Sequence, residues 1–570
     1  MELTKLHLAL FLISSSAIGL PAQDEAAPQA ANFVVKNAKI MTMDSRYPRA
    51  EALAARGEWL VAVGTGEQIE PLIGADTKVV DAGGRLIIPG FNDSHGHFAS
   101  GARLLRSLNL YGVDSLEEVL RLVGEAVAGS KPGEWITGSR YDHTLWGDRW
   151  PTRHDLDRVA PDNPVVLTRA SGHSVWVNSK VLELSGITGS SRDPRAGEIQ
   201  RDSQTGEPTG ILLESAAGLV RRPPRVGYSP ARIKDDLILG LQRAASLGVT
   251  SVQTSSSIRE MELLRDLREE GKLTLRWTGW LPLSTARGLV ARGVRSQQGD
   301  DWVRVGFLKG YIDGTLGEGT AAMFEPFTDR EGFTGLPRMT EEELGEAVVF
   351  ADRNGFQIGI HAIGDKGVHM VLNAFERAAL VNGTRDRRHR VEHAQLIAPD
   401  DIRRFGRLGV VASMQPTHCT TDMRFAQGRV GIERCKTAYA WRSLLDSGAV
   451  IAFGTDWPVE PLDPMRGVFS GVTRTNIQKM EPSTGWFPEQ KLSVWESIYY
   501  YTWGSAYGEH RENVKGSLSP GRFCDLVIMD RDLFTVPPAE ILGAKVDVTV
   551  VGGRVVWDRA SGKWGPKAGR

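Results

Sequence analysis

The central part of the chain alternates patterns typical of β-strands with patterns typical of α-helices. Ser229 and Pro230 form an N-cap and N1 pair ahead of apolar positions at helical spacing, and Thr340 with Glu343 forms a capping box ahead of a second helix. Short apolar runs such as 303–309 separate these helices. Because this alternation is typical of a parallel sheet with crossover helices, and about eight such units are present, the sequence predicts an α/β fold with a (β/α)8 TIM-like barrel.

Both ends of the chain are rich in β-strand patterns and lack the helical patterns of the middle. Residues 33–35 and 39–43 near one end resemble 525–529 and 546–551 near the other, and Gly552-Gly553 is a hairpin signal. We therefore expect a small composite β-sandwich formed from both termini, with the barrel inserted between its halves. The expected boundaries are a signal peptide at 1–22, a linker at 23–31, sandwich halves at 32–88 and 513–570, and the barrel at 89–512.

Charge and cysteine content narrow the classes of function. The 570 residues include 68 Lys and Arg against 69 Asp and Glu, so no net field draws the protein to nucleic acid. Cys419, Cys435 and Cys524 are too few and too widely spaced for a disulfide framework or a cysteine-based zinc site. Any metal site must therefore rest on histidine and carboxylate.

The N-terminus resembles a secretory signal. Lys5 precedes an apolar stretch from Leu6 to Leu20, and small or polar residues follow. We expect an exported protein, periplasmic or secreted, with no stable membrane partner once the signal is removed. An uncleaved N-terminal membrane anchor is the alternative, although the stretch is short for a membrane span. The oligomeric state is left open between a monomer and a homo-oligomer.

Polar side chains follow or end several of the predicted strands. His95 and His97, at positions i and i+2, point to the same side of a strand and can reach one metal ion. Taken singly, each such residue is as well explained as a structural histidine, a helix cap or a surface lysine. Residues this far apart in sequence converge only at the mouth of a barrel, which favours a shared site. The full set is His95, His97, Lys309, His361, His393 and Asp456.

Lys309 is unusual because apolar residues surround it in the sequence. Phe307, Leu308, Tyr311 and Ile312 flank the lysine. We therefore expect its ammonium group to be buried with them, away from water. Burial disfavours the charged form and lowers the pKa of a lysine. A neutral amine is nucleophilic enough to take up carbon dioxide, and the resulting carbamate is a carboxylate that can bridge two cations.

These segments resemble the amidohydrolase superfamily, and more closely its branch of YtcJ-like proteins and N-substituted formamide deformylases (amidohydrolase family 3). The shared motifs appear in family order and span most of the chain from about Phe33 to Trp557. They are GFNDSHGH, GHSVWVNSK, LKGYIDGTLG, HAIGDKGV, VEHAQ, SMQP, FGTDWPV and GSLSPGRFCDLVIMD. The resemblance implies a metal-dependent barrel with a composite β-sandwich.

The resemblance also implies a ligand set and a reaction. His95, His97 and Asp456 would hold one divalent ion, His361 and His393 a second, and carboxylated Lys309 would bridge them. Two zinc ions suit these ligands, and manganese or iron would tolerate the same set. A metal-activated hydroxide would attack the carbonyl carbon, with Asp456 as general base and then general acid.

The implied substrate is a small molecule with an amide or formamide-like C-N bond that is not a peptide bond. His173 is a candidate donor to the developing oxyanion. The candidate substrate-binding residues are Trp146, Trp176, Gln415 and Trp457, although ordinary packing explains the aromatic ones equally well. Two alternatives stay open: deamination of a ring amidine, and a non-catalytic binding or scaffold protein that keeps the fold.

Overall fold

A computed structural model of the protein describes residues 29–147, 149–222 and 229–565. Its centre is a sheet of eight parallel strands that follow one another in chain order. We number them β1 to β8: Phe91–Gly96, Val249–Ser255, Arg276–Pro282, Val303–Tyr311, Ile358–Ala362, Arg390–His393, Val411–Met414 and Val450–Phe453. Their residues are almost all buried, as expected for strands covered on both faces.

Helices cover the outside of this sheet and connect its strands. The expected caps are present: Ser229 accepts a hydrogen bond from the backbone of Arg232, and Thr340 and Glu343 form a capping box. The main helices are Phe98–Leu104, Pro230–Ser246, Ile258–Glu269, Ala286–Ala291, Glu341–Arg353, Asp365–Asn382, Pro399–Leu408, Pro416–Cys435, Trp441–Asp446, Pro464–Thr473 and Val494–Tyr499.

Hydrogen bonds at the carboxyl ends of β1 and β8 bring the sheet to near closure as a barrel. The backbone N-H of Asp456 donates to the carbonyl of His95, at 2.7 Å, and that of His97 donates to the carbonyl of Trp457, at 2.6 Å. The carboxylate of Asp93 accepts from the backbone and the hydroxyl of Thr455. These hydrogen bonds therefore hold the first and last strands together beside the predicted ligands.

The long connection between β1 and β2 contains a second sheet that the sequence analysis did not predict. Its six strands pair in the order Gly197–Arg201, Pro208–Glu214, Ser174–Val177, Val165–Arg169, Ile136–Tyr141 and Leu108–Asn109. Helices Leu116–Ala128, Arg153–Asp157 and Ser179–Ser185 pack with it. The sheet has its own apolar core, which includes Trp176 and Tyr141. We call this unit the inserted sheet.

Two further sheets form the predicted β-sandwich. One consists of Trp59–Gly64, Ala52–Arg56, Ala31–Lys36 and Ile73–Asp81, and the other of Lys563–Trp564, Arg554–Asp558, Val546–Val551, Leu526–Met529, Leu86–Pro89, Lys39–Met41 and Arg49–Ala50. The second sheet joins both ends of the chain, because Val527 pairs with Ile88. The fold-class prediction is thereby confirmed, while the domain boundaries stay a prediction.

A buried ion pair connects the barrel to the sandwich. Arg276 of β3 donates from Nε and Nη2 to the two carboxylate oxygens of Asp525, at 2.7 and 3.1 Å. The same guanidinium lies 3.6 Å from the ring centroid of Phe523. The predicted signal peptide and most of the linker fall outside the described residues. Within the described ranges, no helix has the length and apolar character needed to cross a membrane.

Candidate active site

The predicted ligands lie at the carboxyl-terminal mouth of the barrel. His95 is near the end of β1, Lys309 in β4, His361 in β5 and His393 at the end of β6. Asp456 follows β8 by three residues. All but His95 line a cavity of about 1490 Å³, which His97 also borders. This placement is the one that catalytic residues have in barrels of this kind.

Three of these side chains form a tight, buried cluster. His95, His393 and Asp456 each offer one ligand atom, and these atoms lie within 4.8 Å of one another. His97 stands beside them, with Nε2 3.2 Å from Oδ1 of Asp456. Nε2 of His95 lies 3.6 Å from the same oxygen. Imidazole and carboxylate donors that converge in this way suit a divalent cation.

His361 and Lys309 border the same cluster from the other side. The ring centroid of His361 lies 4.5 Å from that of His393, and its Nε2 is 2.9 Å from the carbonyl oxygen of Gly314. Nζ of Lys309 is 3.4 Å from Nε2 of His95. The structure thus brings all six predicted ligands close to one another at the mouth of the barrel.

Buried partners fix the orientation of two of the histidines. Glu392 accepts from Nδ1 of His95 at 2.7 Å, and Arg390 holds the same carboxylate with two hydrogen bonds, at 2.7 and 3.1 Å. Gln415 is 2.7 Å from Nδ1 of His393 through its Oε1. With Nδ1 engaged in each ring, Nε2 is the atom left to face the cluster, which is the usual arrangement of metal-binding histidines.

The electrostatics of the cluster favour neutral imidazoles and an ionised carboxylate. Burial lowers the pKa of His393 to about 3 and lowers that of His95 well below its ordinary value. Burial acts against the ionised form of Asp456, but the adjacent His97 and His95 outweigh it, and the pKa of the carboxyl falls below its usual range. Neutral histidine and ionised aspartate are the forms that bind metal.

Burial also lowers the pKa of Lys309, to about 8. The Nζ atom sits 5.0 Å from the ring centroid of Trp280 and 4.4 Å from that of Tyr311. The apolar setting that the sequence indicated for this lysine is therefore present.

Two residues of the cluster have strained backbones. His393 has φ of 74° and Asp456 has φ of 56°, values that residues other than glycine seldom adopt. Such conformations cost on the order of 1–3 kcal/mol each and concentrate at functional sites. The strain therefore occurs at two of the three residues whose side chains form the cluster.

His418 is a cluster neighbour that the sequence analysis missed. Its ring is stacked with that of His393 at a centroid distance of 6.1 Å, and its Nε2 is 3.9 Å from Oδ2 of Asp456. This Nε2 is buried and has no hydrogen-bond partner among the described residues. A buried imidazole nitrogen without a partner is unfavourable, so its presence beside the cluster supports a cation or a substrate group there.

The inserted sheet contributes His173 to the site. The ring of His173 is stacked with that of His361 at a centroid distance of 5.1 Å. Its Nδ1 is 2.9 Å from Oε2 of Glu214, and Arg338 pairs with the same carboxylate. Burial opposes the charged form of His173, but Glu214 outweighs it and raises the pKa.

The candidate substrate-binding residues make packing or hydrogen-bonding contacts with other side chains. Trp176 is fully buried and donates its indole N-H to the carbonyl of Thr152 at 2.8 Å. Trp457 packs so closely on Gly101 that a Cβ atom there would be 2.5 Å from its ring. Trp146 stacks on Tyr141 in the inserted sheet. Neither these three nor Gln415 is among the described residues that line the cavity.

The sequence did carry a signal for two of the residues that it failed to assign. Arg390 and Glu392 alternate with apolar residues in β6, and charged side chains inside a buried strand need partners. The roles of His418 and Glu214 depend instead on packing between distant segments, which no local pattern indicates.

Comparisons with known proteins agree with this geometry. The sequence profile described as amidohydrolase family matches residues 78–557. The protein LONG AFTER FAR-RED 3 of Arabidopsis thaliana is 33% identical over 92% of this chain and 92% of its own length. YtcJ of Bacillus subtilis is 29% identical over 91% and 98%. The N-substituted formamide deformylase of Arthrobacter pascens is 26% identical over 93% and 99%.

A solved structure shows the same likeness. An uncharacterized metal-dependent hydrolase from Pyrococcus horikoshii superposes with a TM-score of 0.72, at 28% identity, over 89% of this chain and 99% of its own. These matches support the predicted hydrolase and the predicted divalent metal. The chain belongs to the amidohydrolase family, in the branch that includes YtcJ and the N-substituted formamide deformylase.

Proposed function

We propose that this protein hydrolyses a C-N bond in a small-molecule amide or formamide and that it needs a divalent metal to do so. The observation that carries the proposal is the convergence of ligand atoms from His95, His393 and Asp456 within 4.8 Å at the barrel mouth. His97, His361 and Lys309 border this cluster and complete the set of residues that would hold one or two ions, with zinc preferred.

When bound, a divalent cation supplies a Lewis acid that polarises a carbonyl group and makes water easier to deprotonate. Asp456 is placed to take up the proton of the attacking water and to return it to the leaving amine. His173 donates a hydrogen bond to the oxygen on which negative charge develops, and Glu214 fixes the orientation of its ring. One carboxylate therefore serves as base and then as acid.

Lys309 is the residue that we propose to be carboxylated. Its neutral amine would add to carbon dioxide with loss of one proton, giving a carbamate. The 3.4 Å distance between Nζ and Nε2 of His95 supports this role, because a carbamate on Nζ would carry its oxygens into the cluster.

The test measures hydrolysis of N-formyl, N-acyl and dipeptide compounds by zinc- and manganese-loaded protein. Asp456→Asn should lower kcat by about 10²–10⁴-fold, and His173→Ala by about 10²–10³-fold. Asp76→Asn is the matched control, since Asp76 is exposed on the sandwich. Metal loading with 13C-labelled bicarbonate should add a carbamate signal that Lys309→Met lacks.

Several results would count against the proposal. Ammonia release from a ring amidine without amide hydrolysis would favour the deaminase. Protein that retains no divalent ion and turns over none of these compounds would favour the scaffold. If the protein binds the same amount of metal with and without bicarbonate, carboxylation of Lys309 is not needed for metal binding, and that part of the proposal is wrong.

A further inference from the structure

Two arginines face one tyrosine ring on the cavity wall, away from the predicted ligands. Cζ of Arg140 lies 4.0 Å from the ring centroid of Tyr111, and Cζ of Arg466 lies 5.9 Å from it. Nη2 of Arg466 donates to the hydroxyl oxygen of Tyr111 at 3.1 Å. Arg140 comes from the inserted sheet and Arg466 from a barrel helix. We call these two residues the arginine pair.

The carboxylates beside the arginine pair also interact with other groups. Glu460 is one acidic side chain beside the pair, and Oε2 of Glu460 already accepts a hydrogen bond from the Tyr111 hydroxyl at 2.7 Å. Burial lowers the pKa of Arg140, and the charge of Arg466 lowers it further, while Glu460 acts in the opposite direction. Asp463 also interacts with Arg466, but it is shared with Arg243 and Lys545, as Glu460 is shared with Tyr111.

Several donors of the arginine pair are buried and have no hydrogen-bond partner among the described residues. They are Nε and Nη2 of Arg140 and Nε of Arg466. Elsewhere in the chain Arg276 uses Nε and Nη2 to hold both oxygens of a carboxylate, that of Asp525. Arginines with unused donors at a cavity wall are suited to an oxyanion.

The backbone at Arg140 is strained. Its φ is 72°, and the pairing of its strand with Val165–Arg169 shifts register between Ser139 and Tyr141. Such a bulge redirects one side chain of a strand, and it recurs beside functional sites. Here the redirected side chain is that of Arg140, which contacts the ring of Tyr111.

The arginine pair and several of the predicted ligands line the same cavity. Glu460 follows Asp456 by four residues, so their Cα atoms are at most about 14 Å apart. Arg140, Arg466 and Asp456 all line the cavity. The arginine pair and Asp456 therefore face one continuous cavity.

We propose that Arg140 and Arg466 bind a carboxylate group of the substrate, so that the substrate is an amide with a carboxylate several bonds from the scissile C-N bond. This inference rests on the proposed function for the identity of the reacting bond. It adds that the enzyme selects acids over their neutral counterparts.

The test compares N-benzoyl derivatives of glycine, 4-aminobutyrate and 6-aminohexanoate with their methyl esters. Equilibrium binding and hydrolysis are both measured with metal-loaded protein. For at least one of the three amino acids, the acid should bind at least about tenfold more tightly than its methyl ester, as expected for charge-assisted hydrogen bonds. Arg140→Gln and Arg466→Gln should each reduce that preference by about tenfold.

Arg121→Gln is the matched control, because Arg121 lies exposed on the helix Leu116–Ala128 that packs with the same inserted sheet. Circular dichroism checks that each variant folds. If acid and ester bind equally at every length, or if the preference survives in both arginine variants, the carboxylate subsite is refuted. Preferential binding of the acids without hydrolysis would uphold the subsite and count against the proposed reaction.

Discussion

At the residue scale, the candidate active site depends on buried charges that have fixed partners. Glu392 is fully buried and contacts both His95 and Arg390. It thereby sets which nitrogen of His95 faces the cluster and neutralises an arginine that is itself fully buried. The residues behind a ligand determine its affinity because they hold its ring in one orientation.

We expect Glu392→Gln to weaken metal binding by about 10–100-fold, since the neutral amide holds the ring of His95 less firmly. A titration against a chelator of known affinity measures the change. Glu125→Gln is the control, because Glu125 is exposed on an outer helix. Unaltered metal affinity in folded Glu392→Gln protein would show that this partner does not tune the site.

At the element scale, the turns after the barrel strands position both ligands and helices. Gly364 follows β5 and is the N-cap of the helix Asp365–Asn382. Its backbone N-H donates to the buried carboxylate of Asp313 at 2.8 Å. A Cβ atom on Gly364 would lie 2.0 Å from the carbonyl oxygen of Ala322, which is backbone and cannot rotate away.

Gly364→Ala should therefore lower the free energy of unfolding by about 1–3 kcal/mol, the usual cost of overpacking. Chemical denaturation measures it. Gly288→Ala is the matched control: Gly288 lies in the helix Ala286–Ala291 with nothing within 4 Å of its Cβ position. That substitution should stabilise by up to about 1 kcal/mol. A Gly364→Ala protein as stable as the wild type would disprove the steric argument.

The barrel, and the convergence of polar side chains at the ends of its strands, could be predicted because their signals are local. Apolar strands that end in histidine or aspartate can be recognised one at a time, and the barrel brings their ends together. The inserted sheet could not be predicted, because its strands look like barrel strands until their pairing is known. The same limit applies to Trp176 and Trp457, since a tryptophan beside a predicted strand end fits a core and a cavity equally well.

At the scale of the whole molecule, a segment after the barrel ties three of its strands together. Glu509 accepts from Asn92 of β1 at 2.8 Å, from the Thr278 hydroxyl of β3 and from Arg304 of β4 at 3.0 Å. Lys515 pairs with it at 2.6 Å. Because these contacts are buried, the charge of Glu509 affects the stability of the barrel as a unit.

This network predicts how stability changes with acid. Burial opposes ionisation of Glu509, but Lys515 and Arg304 outweigh it and lower the pKa from 4.5 to about 2. The stabilisation is therefore fully present above pH 4.5 and is lost as the pH falls towards about 2. The lowered pKa corresponds to a stabilisation on the order of 3 kcal/mol.

Urea unfolding of the wild type and of Glu509→Gln between pH 7 and pH 2.5 tests this prediction. At pH 7 the variant should be less stable by about 3–5 kcal/mol, because Arg304 stays charged and buried without a carboxylate, and Lys515, whose pKa is already lowered by burial, loses the group that favours its charged form. The difference should shrink as acid protonates Glu509 in the wild type, which then resembles the amide. Glu346→Gln is the control, because Glu346 is exposed on a barrel helix. A difference that stays constant down to pH 2.5 would mean that the network stabilises the barrel by shape and hydrogen bonding, not by charge.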